Sequence, residues 1–367
     1  MIDSCTSCLR RAFLIAHLAP RIAGLLGGRD RRASGLLALP EDDLLAAAAG
    51  EGVEQALAFL EQLDTESERE RLSAGRFSVL CTHATAYPPL LRQLSDPPAV
   101  LFAAGREHTF AVLREEPAVA MVGTRRASPY GTEVAYAIGR GLGASGVPVV
   151  SGLALGIDGT AHRGCLDGGG IPVAVVACGP DVVYPRRHRG LHQRVCERGL
   201  VLSELPPGTE PYRWSFPARN RIMAGLARLT LVVEAADPSG SLITADFAKD
   251  LGRCVAAVPG RVTSSVAKGT NGLLKEGAAA ITGTDDVLDE LFGVGVRRAP
   301  KVRAGCSEPE DPLLRAVLDA ADRCSSVEAI ARTTGRSAAQ TRAALGRLEA
   351  DGYLVRRDLG GWERAAC

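Results

Sequence analysis

The sequence has few aromatic residues and almost no net charge. Aromatic side chains make up 4% of its 367 residues, and 43 basic residues offset 42 acidic ones to leave a net charge of +1. A nearly neutral chain has no overall field that would attract nucleic acid or an anionic membrane, so a polyanion site would have to be a local patch. Most of the positive charge is arginine, which suits bidentate contacts to phosphate.

Long apolar runs are also absent. No stretch is long and apolar enough to cross a bilayer. The apolar run in the first 26 residues is short, is interrupted by His17, Pro20 and Arg21, and lacks a clean small-residue cleavage site. We therefore expect a cytoplasmic protein without a membrane span. The length of the chain is sufficient for two or three domains.

The familiar motifs of nucleotide and hydrolase chemistry are missing. The sequence contains no G-x-x-x-x-G-K-[ST], no well-spaced G-x-G-x-x-G after the first strand of its sheet pattern, and no G-x-S-x-G. Cys5 and Cys8 form a C-x-x-C pair, but no second close pair or pair of histidines completes a tetrahedral site with them. We interpret these two cysteines as structural residues on one helix face, and predict no catalytic residue, metal or cofactor.

Composition divides the chain into five segments. Residues 1–64 have the leucine and alanine spacing of helices, and 65–116 form a proline-rich connection. Within 117–292, short apolar runs such as PAVAMVG, GVPVVSGLA and RLTLVVEAA alternate with helical segments, which predicts βαβ units and a parallel sheet. A linker follows at 293–310, and 311–367 has the helix, turn, helix and hairpin pattern of a winged helix.

Donors and cations follow several of the predicted strands. Parallel sheets bind ligands at the carboxyl ends of their strands, where helix N-termini favour anions. Tyr184, Tyr212, Trp214 and Phe216 lie beside arginines and could stack on unpaired bases. The candidate contacts are Gly123, Thr124, Arg125, Arg186, Arg213, Phe216, Arg219, Asn220, Arg221, Ser239, Gly240, Ser241, Thr244, Lys268 and Asn271.

The stretch SFPARNRIMAGLA raises a specific question. Ser215 could be an N-cap and Pro217 suits a first helical turn, which would place two arginines near the positive end of a helix dipole. Arg219 and Arg221 therefore need a negative partner. That partner is either a DNA phosphate or a carboxylate such as Glu204 or Glu234, and the sequence leaves both alternatives open.

Seven motifs in order resemble the DprA/Smf family of DNA-processing proteins. They are VGTRRASPYG, SGLALGIDGTAH, VAVVACGPDVVYP, LSELPPGTEP, FPARNRIMAGLA, VVEAADPSGSLITADFAKDLGR and VPGRVTSSVAKGTNGLLKEGA. The resemblance implies an extended Rossmann-like α/β domain between a helical SAM-like N-terminal domain and a C-terminal winged-helix domain. It also implies phosphate contacts by Arg125, Arg186 and Arg213, and base stacking by Phe216.

The function implied by this resemblance is that of a recombination mediator. Such a protein binds and protects single-stranded DNA and loads RecA onto strands coated by single-strand-binding protein during natural transformation. It forms a homodimer through the Rossmann-like domain and requires no metal or nucleotide. The winged helix could contact either DNA or a protein partner.

Two other functions compete with this one. Nucleotide phosphoribohydrolases with a related Rossmann-like domain carry P-G-G-x-G-T-x-x-E, and the corresponding stretch here is PSGSLITAD, with Asp246 as its terminal acid. The missing Gly-Thr weakens this enzymatic alternative. A transcription regulator built on the winged helix is disfavoured by the nearly neutral charge and the large sheet domain.

Overall fold

The computed structural model describes residues 1–26, 34–299, 309, 311–321, 323–324, 326–350, 353–356 and 362–364. The chain divides into two compact units, 1–300 and 301–367. The predicted linker at 293–310 lies largely outside the described residues, as does the Gly-Gly tip of the predicted C-terminal hairpin. Among the described residues, no helix is both long enough and apolar enough to cross a membrane.

A ten-stranded sheet forms the first unit, in the spatial order β1-β2-β3-β7-β6-β5-β4-β8-β9-β10. Among the strands formed by the described residues of this unit, only β3 runs against the others. The α/β class with a mostly parallel sheet is therefore confirmed. The strands are β1 (Ile2–Asp3), β2 (Ser78–Cys81), β3 (Val100–Gly105), β4 (Val119–Gly123), β5 (Val149–Ser151), β6 (Pro172–Val175), β7 (Leu200–Ser203), β8 (Leu229–Glu234), β9 (Cys254–Ala257) and β10 (Ala279–Ala280).

Helices cover both faces of this sheet, which is why its strands are continuous apolar runs. In β4, Val119 and Met121 pack into one core and Ala120 and Val122 into the other, because successive side chains of a strand point to opposite faces. The helices are α1 (Thr6–Leu26), α2 (Ser34–Leu37), α3 (Glu41–Ala49), α4 (Val53–Gln62), α5 (Thr65–Ala74), α6 (Thr109–Glu115), α7 (Pro129–Ala144), α8 (Ile157–Asp167), α9 (Arg189–Arg198), α10 (Ser215–Leu226), α11 (Gly240–Asp250), α12 (Lys268–Lys275) and α13 (Thr284–Phe292). Short 3-10 turns occupy Gly50–Gly52, Pro89–Gln93, Arg186–His188 and Ser265–Ala267.

The N-terminal residues are not purely helical. Strand β1 extends the sheet by pairing in parallel with β2, and a two-residue strand is too short to give a periodic sequence signal. Phe13 of α1 packs edge-on against Phe102 of β3, with ring centroids 6.2 Å apart. The prediction that Cys5 and Cys8 share a helix face is wrong for Cys5, which lies before α1 begins.

The described residues of the second unit form three helices and a two-stranded antiparallel ribbon around their own apolar core. Ser326 caps the helix Val327–Thr334 (α15) by accepting a hydrogen bond from the Ala329 N–H, and Gly335 ends this helix in the left-handed conformation, with φ of 65°. The turn predicted between two helices of this segment is therefore present, while the winged-helix assignment stays a prediction. The elements are α14 (Pro312–Ala321), α15 (Val327–Thr334), α16 (Ala338–Ala350), β11 (Leu354–Arg356) and β12 (Trp362–Arg364).

Candidate nucleic-acid interface

A cleft of about 480 Å³ opens at the carboxyl ends of the central strands. It lies at β4, where the strand order reverses: β5, the next strand along the chain, pairs on one side and β8 pairs on the other. Ligand sites in open α/β sheets occur at such switch points. The lining residues of this strand-end cleft are Val122, Gly123, Thr124, Arg125, Ala154, Asp158, Tyr184, Arg213, Phe216, Pro217, Arg219, Asn220, Met223, Ser239, Gly240, Ser241, Ile243 and Thr244.

An aromatic and cationic surface lies on one side of the strand-end cleft. The Arg125 guanidinium carbon is 5.1 Å from the centre of the Phe216 ring, within the range of a cation–π contact. The Tyr184 ring lies 5.5 Å from the same ring at an angle of 58°. Arg125 and Arg213 are exposed and Phe216 is partly buried, so two cations and an aromatic ring are available to a ligand together.

Two helix N-termini contribute to the lining of the strand-end cleft. Helix α11 begins there after Ser239, whose hydroxyl accepts a hydrogen bond from the Ser241 N–H at 3.4 Å. Helix α10 supplies Phe216 and Pro217 from its first turn. Because free N–H groups and the helix dipole both favour negative charge, these ends suit an anionic group.

The start of α10 differs from the prediction. Trp214 occupies the N-cap position without a side-chain cap, and Ser215 is the first helical residue. The Ser215 hydroxyl donates to the Ala177 carbonyl at 2.6 Å and is also 2.7 Å from the Tyr212 carbonyl. The predicted N-cap role of Ser215 is therefore wrong, because its side chain bonds backbone carbonyls instead of a helical N–H.

Helix α7 begins at Pro129, and a carboxylate reinforces its cap. The Ser128 hydroxyl accepts from the Gly131 N–H at 3.0 Å. Glu234 at the end of β8 accepts from both the Ser128 N–H and the Ser128 hydroxyl, at 2.8 and 2.7 Å. Glu234 is buried and therefore serves to position the loop after β4.

Arg219 lies at the base of the strand-end cleft with only 7% of its surface exposed. Its Nη1 donates to the carbonyl oxygens of Gly152 and Val175, at 2.6 and 2.5 Å. A Cβ at Gly152 would collide with this guanidinium, so glycine is needed for the close approach. Burial lowers the pKa of Arg219 and raises that of Asp158, whose carboxylate lies 3.8 Å away.

Arg221 is fully enclosed and is bound to two carboxylates. Its Nε donates to Asp96 at 2.8 Å, and its Nη2 donates to Glu204 at 2.7 Å. Arg221 is 1% exposed, so its side chain cannot reach a DNA strand while this region is folded. We therefore correct the prediction that Arg221 contacts DNA. Of the two carboxylates considered as its negative partner, Glu204 accepts a hydrogen bond from Arg221, whereas Glu234 accepts hydrogen bonds from Ser128.

The other predicted contacts divide into two groups. Most of them line the strand-end cleft, including Asn220, whose amide donates to the Gly240 carbonyl and accepts from Arg219. Arg186, Lys268 and Asn271 are outside that lining. Arg186 is exposed in a 3-10 turn shortly after Tyr184, and Lys268 lines a separate depression.

Asn271 has a structural role in the loop after β9. Its side-chain oxygen accepts from the Gly260 N–H and its amide nitrogen donates to the Gly260 carbonyl, both at 3.1 Å. This two-way contact gives Asn271 a structural role, and its predicted contact with DNA stays a prediction.

The prediction missed several lining residues of the strand-end cleft. Ala154, Met223 and Ile243 gave no signal, because apolar residues in helices and strand ends usually face a core. Asp158 was identifiable from its place in SGLALGIDG, but as a helix-start acid it also fits an ordinary cap.

Comparison with known proteins agrees with this architecture. A family model described as "DNA recombination-mediator protein A" matches residues 78–292. The chain belongs to this family. The family resemblance inferred from the sequence motifs is therefore confirmed.

Relatives of the DNA recombination-mediator protein A family include proteins of known structure. The chain is 40% identical to the DNA processing protein DprA of Bacillus subtilis over 205 residues, 56% of this chain and 68% of that protein. It is similar to the crystal structure of DprA from Streptococcus pneumoniae, with 33% identity and a TM-score of 0.62 over 78% of this chain and 96% of that one. A DprA structure from Helicobacter pylori, described for its single-stranded DNA binding mode, matches at 30% identity with a TM-score of 0.52, over 58% and 94% of the two chains.

Proposed function

We propose that the strand-end cleft binds single-stranded DNA and that the protein acts as a recombination mediator. The observation that carries this proposal is the meeting of Arg125, Arg213 and Phe216 at strand and helix ends that already favour anions. Arginines can contact successive phosphates while the aromatic ring stacks on a base. Stacking on Phe216 requires an unpaired base, which favours single strands over duplex DNA.

The mode of binding follows from the same geometry. Any base has a π-face, so a site that relies on stacking and phosphate contacts binds with little sequence preference. Arg219 lines the base of the strand-end cleft, but the Asp158 carboxylate 3.8 Å away offsets its charge, so the exposed Arg125 and Arg213 supply the positive potential. The single-stranded DNA binding of the Helicobacter pylori relative supports the same function for this chain.

The partners of the protein are proposed from its family. We expect RecA to receive the bound strand, single-strand-binding protein to be displaced from it, and natural transformation or recombination to be the setting. Dimerisation through the Rossmann-like sheet unit and a cytoplasmic location belong to the same proposal. None of these functions requires a nucleotide cofactor or a catalytic residue.

The phosphoribohydrolase alternative needs an acid at the strand-end cleft. Of the described residues that line it, Asp158 is the only carboxylate, and it is 4% exposed and lies beside Arg219. Asp246, which would be the catalytic acid, lines the neighbouring depression with Lys268 and Glu276. The geometry therefore favours binding over hydrolysis.

Oligo-dT is expected to bind at least about ten times more tightly than a duplex of equal length at moderate salt, because stacking is worth about 1–3 kcal/mol per base. Fluorescence anisotropy measures both affinities. As a control for hydrolysis, the protein is incubated with nucleoside monophosphates and any release of the free base is measured by chromatography. Equal affinity for the two DNA forms, or release of the base, would contradict the proposal.

A chain that ends at Ala299 is expected to keep its fold and most of its affinity for oligo-dT, because residues 1–300 form a compact unit that contains the whole strand-end cleft. Circular dichroism checks the fold and anisotropy checks the affinity. If the shortened chain is folded but does not bind, the C-terminal unit is the main DNA-binding element.

A further inference from the structure

Four residues with metal-binding side chains meet near the N-terminus, far along the chain from one another. Cys5 and Cys8 come from the start of the chain and α1, Cys81 ends β2, and His83 follows two residues later. Their sulfur and nitrogen atoms all lie within 4.8 Å of one another. We call this group the Cys3His cluster, and its sequence pattern is C-x-x-C with a distant C-x-H.

The distances within the Cys3His cluster fit a tetrahedral metal. The Nδ1 atom of His83 lies 3.5 Å from the Cys5 sulfur, 3.4 Å from the Cys8 sulfur and 3.9 Å from the Cys81 sulfur. Bonds of about 2.3 Å to sulfur and about 2.0 Å to nitrogen in a tetrahedron place sulfur and nitrogen ligands about 3.5 Å apart. The three nitrogen–sulfur distances are therefore close to those of a tetrahedral zinc site with four protein ligands.

Polar groups around the sulfurs distinguish this cluster from cysteines that merely fill a core. The Cys5 N–H donates to the Cys81 sulfur at 3.4 Å, the Ser7 hydroxyl lies 3.3 Å from the Cys5 sulfur, and the Thr82 hydroxyl lies 3.8 Å from the Cys8 sulfur. Such donors stabilise thiolates and orient metal ligands. All three cysteines are free of disulfides.

We propose that the Cys3His cluster binds one Zn²⁺ ion through the three sulfurs and Nδ1 of His83. Three thiolates and an imidazole in tetrahedral arrangement are typical zinc ligands. Binding replaces the three thiol protons, which are released to solvent, while His83 binds as the neutral imidazole. Four protein ligands leave no open position for a substrate, so the ion is structural.

The position of the site suggests what the ion stabilises. It joins the residues at the start of α1 to the end of β2, so it fixes α1 against the edge of the sheet. The other half of α1 supports the strand-end cleft, because the indole N–H of Trp214 donates to the Ala19 carbonyl at 3.1 Å. Trp214 immediately precedes α10, the helix that carries Phe216.

Metal analysis of the purified full-length chain tests this proposal. We expect about one zinc per chain, as for structural sites with four protein ligands, and a lower melting temperature after chelation that added Zn²⁺ restores. Cys8→Ser and His83→Ala should lose most of the zinc. Cys254→Ser is the matched control, since this half-buried thiol contacts Glu290 instead and should leave the zinc content unchanged.

A spectroscopic readout keeps the test independent of the variants' stability. Co²⁺ added to the metal-free protein should give the intense visible absorption of a tetrahedral thiolate site. The proposal is overturned if the unaltered chain binds no zinc after dialysis against Zn²⁺, or if Cys8→Ser and His83→Ala retain it. An octahedral Co²⁺ spectrum or a disulfide among these cysteines would overturn it too.

Discussion

Replacing Arg221 with methionine is expected to lower the free energy of unfolding by about 3–5 kcal/mol, the usual cost of removing one partner from a buried ion pair. Methionine fills a similar volume but leaves Asp96 and Glu204 with no cation between them. Asp96 is 6% exposed, and its burial already raises its pKa in the presence of Arg221. Guanidinium denaturation followed by circular dichroism measures the change.

The control for this substitution is Arg228→Met, which removes an exposed arginine just after the same helix. A surface change of this kind should stay within about 0.5 kcal/mol of the parent. A chain in which Asp96→Asn and Glu204→Gln accompany Arg221→Met should regain part of the loss, because no unpaired charge remains buried. Unchanged stability with weakened binding to oligo-dT would instead return Arg221 to the DNA contacts.

The central sheet was accessible to sequence analysis because its strands are buried on both faces. Apolar runs such as PAVAMVG and RLTLVVEAA correspond to β4 and β8, and their place between helices predicts parallel pairing. Strands β1, β2 and β3 were not predicted. The antiparallel pairing of β3 with β7 joins residues far apart in sequence, and nothing in the local pattern of the proline-rich connection specifies it.

The strand-end cleft was partly predictable for a similar reason. The strand ends of a parallel sheet lie at one edge, so Arg125, Arg213 and Ser239 could be grouped without coordinates. The partners of Arg221 could not be chosen, because Asp96 lies far away in the sequence and Glu204 and Glu234 are equally plausible from their positions at strand ends. Choosing between them required the direction of each side chain.

The search of the sequence for metal-binding residues was too narrow to detect the Cys3His cluster. Cys5 and Cys8 were examined for a second close pair or a pair of histidines, and Cys81 with His83 is neither. A mixed C-x-H pair adjoining a strand end is the signal that could have completed the Cys3His cluster. Cys81 and His83 are far from Cys5 and Cys8 in the sequence, and the contact between the two pairs becomes evident only from the pairing of β1 with β2.

The double variant Arg125→Ala, Arg213→Ala is expected to weaken binding of oligo-dT at least about 100-fold, since each charge-assisted contact to phosphate is worth about 1.5–3 kcal/mol. Each lost phosphate contact should also reduce the slope of the logarithm of the binding constant against the logarithm of the salt concentration by about 0.7, the value for single strands. Phe216→Ala should cost about 1–3 kcal/mol with little change in that salt dependence, because stacking releases no counterions. Anisotropy titrations across a range of salt concentrations separate the two effects.

Arg126→Ala is the matched control, because Arg126 follows Arg125, is also exposed and is outside the lining of the strand-end cleft. It removes the same charge and should leave both the affinity and its salt dependence close to those of the parent. If Arg126→Ala weakens binding as much as Arg125→Ala, the effect is one of general charge rather than of the cleft. Parent-like binding by Arg125→Ala, Arg213→Ala and Phe216→Ala would place the DNA elsewhere on the protein.

The contact between Arg125 and Phe216 adds a test that neither single variant provides. With the guanidinium carbon 5.1 Å from the ring centre, each side chain holds the other in position before DNA arrives. The losses of binding free energy caused by Arg125→Ala and Phe216→Ala should therefore not be additive. The variant that carries both substitutions should depart from the sum of the two single losses by about 0.5–3 kcal/mol. The structure does not bring Arg186 and Phe216 together in the cleft. The losses of binding free energy caused by replacing each of these two residues with alanine should therefore be additive. Additivity of Arg125 and Phe216 would mean that they bind separate parts of the strand.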